Sequence, residues 1–113
     1  MSEIIVRGWI ELPGRELLDR AVAIVVLDDV TMIDSPAVRV AETVIEGISG
    51  WQDKIPFSLE VRGELSVRSS YVLSAQIRQF GAKDLRPGDF LTTVAVPWAA
   101  TETSGNLVPV SRI

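Results

Sequence analysis

The chain has 113 residues, 47% of them hydrophobic and 23% charged, with a net charge of −4 and neither His nor Cys. That length suits one domain, residues 1–113, with enough surface to bury a core without cross-links, and the composition excludes disorder. The acidic balance argues against nucleic acid or an anionic membrane surface as a partner, and the missing Cys and His exclude disulfides, thiolate chemistry and CxxC zinc sites.

The first element predicted is a strand. Ile4, Val6, Gly8, Ile10 and Leu12 alternate with Ile5, Arg7, Trp9 and Glu11, and successive strand side chains point to opposite faces. Pro13-Gly14 is a strong turn pair and ends it. Arg15 to Arg20 follows as a short polar connection, with a helical turn carrying Leu17 and Leu18 as one form of it. Ala21 to Leu27 is an unbroken apolar run. A strand buried on both faces reads this way, which places it centrally. Asp28-Asp29 closes it, and Thr31 to Pro36 is a polar link.

Arg39 to Ile48 fits a helical stripe through Val38, Ala41, Val44, Ile45 and Ile48, but its β-branched content favours a strand. Ser49-Gly50 marks a loop that carries Trp51. Ile55, Phe57, Leu59 and Val61 then alternate with polar neighbours, as do Tyr71, Leu73, Ala75 and Ile77. Both are half-buried strands. Leu85-Arg86-Pro87-Gly88-Asp89 has Pro and Gly where a type II turn needs them. Phe90 to Val96 is a strand stopped by Pro97, Trp98 to Asn106 a loop, and Leu107 to Ile113 a last strand that Pro109 demotes to an edge. The sum is about seven strands in an all-β, mostly antiparallel sandwich or partly open barrel.

Several segments in this order resemble a known family: "VAIVVLDDV" at Val22 to Val30, Thr31, "DSPAV" at Asp34 to Val38, "AETVI" at Ala41 to Ile45, "IPFSLEV" at Ile55 to Val61 and "YVLSAQIR" at Tyr71 to Arg78. Together they resemble the YbaY/YscW family of small bacterial lipoproteins, some of which are pilotin-like chaperones of type III secretion. The resemblance spans residues 20 to 80 and continues more loosely through "FLTTVAVP" at Phe90 to Pro97. It implies a compact β-sandwich, draws Arg39 to Ile48 towards strand, and implies a role in assembling or stabilising an envelope or secretion component. The family's signal peptide and lipid-bearing Cys have no counterpart here.

Candidate sites are few. Asp28, Asp29 and Asp34 form a tight acidic cluster that could begin a Ca²⁺ site, although Asp is common at strand ends for its own backbone bonds. Their spacing matches no calcium loop, so no metal or cofactor is expected. Paired carboxylates could do acid–base work, but a nucleophilic Ser lacks a His base, and no phosphate loop is present. Trp9, Trp51 and Trp98 are the candidate partner contacts, because Trp is enriched in binding hot spots. The alternative is that Trp9 and Trp51 cap the open ends of the core. An unblunted sheet edge could also accept a peptide by strand addition.

The reading is a non-catalytic protein- or peptide-binding module, with a carbohydrate- or cation-binding module as the alternative. No apolar segment is long enough to insert into a membrane. Without a signal-peptide core the chain reads as cytoplasmic, or as periplasmic or envelope-bound if a leader was removed.

Overall fold

The computed structural model describes residues 3–32 and 34–113. Seven strands form one sheet that is not closed into a barrel: β1 (Glu3–Asp29), β2 (Val38–Arg62), β3 (Tyr71–Arg78), β4 (Phe90–Leu91), β5 (Val96–Trp98), β6 (Asn106–Pro109) and β7 (Ser111–Arg112). Among the described residues the one helical element is a 3-10 turn at Gln79–Gly81. The all-β expectation therefore holds, and so does the strand at Arg39 to Ile48.

The segmentation differs from the expected one. Pro13-Gly14 does not end the first strand, and Arg15 to Arg20 is extended rather than helical. Pairing with β2 lapses between Glu11 and Glu16 and then resumes. Pro13 lacks an N–H and so breaks the ladder, yet the chain keeps its direction and bends. β1 and β2 are long bent strands that run side by side through both halves of the molecule. The N-terminal half of β1 pairs with the C-terminal half of β2 and, in parallel, with β6. The C-terminal half of β1 pairs with the start of β2 and with β3. Strands that pass from one layer to the next at a bend are how sandwich corners are made. The expected strand Phe90 to Val96 is instead two short strands, β4 and β5, and the expected Leu107 to Ile113 is β6 and β7.

Bulges keep the apolar side inward around the bend. The buried residues are even-numbered at Val6, Gly8, Ile10, Leu12 and Leu18, and odd-numbered at Ala21, Ala23, Val25 and Leu27. The switch falls at Asp19-Arg20, where Arg20 adopts φ +48 and the register shifts. An extra residue in one strand changes which parity faces the core. In β2 the same switch occurs at Gly47, with φ +68, a conformation glycine adopts without steric cost. One core results, joining Val6, Ile10, Leu59, Val61 and Val108 from the first layer to Val25, Leu27, Leu73, Ile77 and Phe90 from the second.

The apolar run Ala21 to Leu27 is central, as expected, but it is not buried on both faces. Val22, Ile24 and Val26 are half-buried on the outer side of the second layer. The type II turn forms as read: Asp89 N donates to Arg86 O at 3.0 Å and Gly88 has φ +97.

Candidate functional site

On the outer side of the first layer, Trp9 lies between two cross-strand neighbours. Pro56 of β2 pairs with it on one side and Leu107 of β6 on the other. Trp9 is 43% exposed and Leu107 41%, with Ile5 two positions along the same face, beyond Arg7. Alternation fixes this outcome: Val6, Gly8 and Ile10 must fill the core, so Ile5, Arg7, Trp9 and Glu11 face solvent. The row Pro56–Trp9–Leu107 is bordered by Arg7 and by Glu11 with its partner Lys54. At the far end of this face, Glu3 shares a hydrogen bond with Glu60 that holds the Glu3 carboxyl above its usual range. The same bond, together with Arg62 at 3.1 Å, holds Glu60 below it. This carboxyl pair stands in open solvent, without the cleft that acid–base hydrolysis requires.

Trp51 is not in a loop. It is a β2 residue directly opposite Leu17 of β1, at the bend. Leu17 is 56% and Trp51 58% exposed, and the Arg15 guanidinium sits 5.9 Å from the Trp51 ring centroid. Five residues of strand, roughly 17 Å, separate Trp51 from Pro56 and so from the Trp9 row. Neither Trp caps the core. Both stand outward on two stations of one outer surface.

Gln79 ties the 3-10 turn to this corner. Its side chain accepts from Asp19 N at 2.9 Å and donates to Leu17 O at 3.2 Å. Next to it Phe80 is 56% exposed, has φ +61, and stacks under Arg20 at 5.8 Å. A bulky residue in the left-handed region carries strain. Leu17, Phe80 and Leu107 were not singled out by sequence, because a single Leu or Phe gives no local sign of which distant residues will stand beside it.

Trp98 requires a correction. It ends β5, is 5% exposed, and stands edge-on to Tyr71. Its indole N–H donates to Glu102 O at 2.6 Å. Burial with a satisfied N–H makes it a core residue rather than a partner anchor. Its edge forms the floor of an open hollow of about 490 Å³, ringed by Ser66, Val67, Ser69, Pro97 and Thr101.

The acidic cluster does not assemble. Asp28 and Asp29 point to opposite faces of β1. Asp28 is held by Arg39 at 2.7 Å. Asp29 accepts from Thr31 Oγ1 at 2.5 Å and Thr31 N at 2.9 Å, which lowers its pKa. Asp34 is exposed in the turn beyond. Among the described residues no three acidic, His or Cys side chains are placed to hold a metal ion.

The chain matches no family model and no curated protein. Its structure is similar to that of an alternative pilotin from the type II secretion system of Vibrio cholerae, with a TM-score of 0.76 and 21% identity over 99% of this chain and 98% of that one. At that identity the likeness establishes a shared fold. The resemblance to the YbaY/YscW family therefore carries over as a pilotin-like fold, while membership of that family is not shown.

Proposed function

We propose that the chain is a non-catalytic module that binds a protein or peptide and assists the assembly or stability of a secretion or envelope component. The observation that carries this reading is the outward row Pro56–Trp9–Leu107 on a pilotin-like fold. Its side chains are apolar, face solvent and are held on rigid strands, which is how binding anchors are presented. Trp51 and Leu17 form a second station on the same surface.

The test is affinity capture from native membrane and soluble fractions with wild-type protein and the variants Trp9→Ala, Leu107→Ala and Trp51→Ala. One secretion or envelope component should be enriched by wild type. Trp9→Ala should lose it by about tenfold or more, the effect of a hot-spot residue, with an unchanged circular dichroism spectrum. Equal capture by all variants would remove this surface from the interaction.

The hollow beside Tyr71 and Trp98 favours a second reading, a small polar ligand. Its volume is in the range of ligand sites and hydroxyls ring its rim. A thermal shift with a sugar panel at millimolar concentration tests it, since binding only the native state raises the melting temperature.

A further inference from the structure

β2 is an edge strand along its whole length, because among the described residues only β1 pairs with it. The middle of that edge is blunted. Gly47 and Gly50 adopt φ +68 and +91, and Pro56 lies further on. Such breaks obstruct edge pairing. The stretch Ala41–Glu46 has none of them and pairs with β1 in unbroken register from Ala41 to Ile45.

The direction of its backbone groups follows from two neighbouring strands. Thr92 N donates to Ala75 O, and Ala75 N donates to Thr92 Oγ1. Ala75 thus turns its backbone away from β1, so its partner Val25 turns towards β2 and Thr43. In an antiparallel ladder these directions alternate. The N–H and C=O groups of Glu42, Val44 and Glu46 therefore point out from the free edge. Their side chains lie on the outer face, while Ala41, Thr43 and Ile45 line the open margin of the core.

We propose that this edge pairs with the same edge of a second copy of the chain, antiparallel, with Thr43 facing Thr43 across a two-fold axis. A two-fold contact must be self-complementary, and this register is. It sets Glu42 against Val44 and Ala41 against Ile45, and exchanges the outward-pointing backbone groups of Glu42 and Val44. Centring on Glu42 opposes that residue to itself, and centring on Val44 opposes Glu42 to Glu46; like charges directly opposite are destabilising. A register shifted by one residue would face outward groups with inward ones. Glu46 forms no ion pair among the described residues, and in this register it lies beside Arg39 of the second copy. The inference uses a surface separate from the Trp9 row, so it stands or falls independently of the proposed partner.

An interface of two short strands is small, so the dimer is weak, with a Kd on the order of micromolar to sub-millimolar. Sedimentation equilibrium up to about 1 mM should show the mass rising from one chain towards two. The chain has no Cys, so single-cysteine variants report the register. Residues facing each other in a non-hydrogen-bonded pair have Cα atoms about 4.5 Å apart, within disulfide reach. Thr43→Cys should therefore oxidise to a covalent dimer faster than Glu42→Cys or Val44→Cys. Val44→Glu would face Glu42 and weaken the dimer tenfold or more, whereas Val44→Lys would keep or tighten it. Monomer at every concentration, equal cross-linking at the three sites, or equal effects of the Glu and Lys variants would each overturn the proposal.

Discussion

Trp98 meets Tyr71 edge-on, with ring centroids 5.9 Å apart and planes inclined by 69°. Each ring also has its polar end satisfied: Trp98 donates to Glu102 O, and the Tyr71 hydroxyl accepts from Ser66 N at 2.9 Å. The pair fastens two loops to the end of the second layer. Trp98→Ala should therefore destabilise the fold by about 3–5 kcal/mol, as large buried aromatics do. Trp9→Ala, outward and part-exposed, should cost about 1 kcal/mol or less. Denaturant midpoints at constant m-value check both, and equal losses would contradict the division between core and contact Trp.

Asp89 is the buried polar residue of the core, 2% exposed. Its carboxylate accepts from Gln79 N at 2.9 Å and Arg86 N at 2.8 Å, joining the 3-10 turn to the type II turn. Asp89→Ala leaves two amides without their partner and should cost about 2–4 kcal/mol, since each bond is to a charged group. Faster hydrogen exchange at Gln79 and Arg86 should accompany the loss.

Gly8 admits β6 to the sheet. A Cβ there would lie 2.1 Å from Asn106 O, a backbone atom. Gly8→Ala must push β6 away and should cost about 1–3 kcal/mol, the usual range for overpacking. Hydrogen exchange confined to residues 106–109 would rise first. Unchanged protection there would mean that β6 is held by other contacts.

Asp29 titrates below the ordinary carboxylate range because Thr31 donates to it from both its hydroxyl and its amide. A carboxyl with a lowered folded pKa adds stability that is present above its unfolded pKa and is lost as the pH falls through the folded one. Thr31→Val removes the hydroxyl, the largest cause. The Asp29 midpoint followed by NMR should move up towards the ordinary value, so the stability lost on acidification should be smaller and its loss complete at a higher pH. An unmoved midpoint would assign the lowering to the backbone amide alone.

Strand alternation was readable in the residues. Val6 and Ile10, Phe57 and Leu59, Leu73 and Ile77 all face the core as their spacing implies, because side-chain direction in a strand is a local property with period two. The turn at Arg86 to Asp89 was readable for the same reason, Pro and Gly setting their own dihedral angles. The candidate site was legible only in part. The outward side of Trp9 follows from its strand, but its apolar neighbours do not, since Leu107 joins it through a parallel pairing across almost the whole chain.

The sequence by itself determined an all-β chain, the inward faces of the alternating segments Ile4–Leu12, Ile55–Val61 and Tyr71–Ile77, and the position of the turn at Arg86 to Asp89. Tertiary structure alone decided that Pro13-Gly14 bends a strand instead of ending it, that Trp51 stands out and Trp98 stands in, and that Ile24 and Val26 are left without a covering layer. Those outcomes depend on which distant strand supplies the neighbour. Asn106 Nδ2 bonding Arg7 O, 99 residues away in sequence, is such a choice, and no local period encodes it.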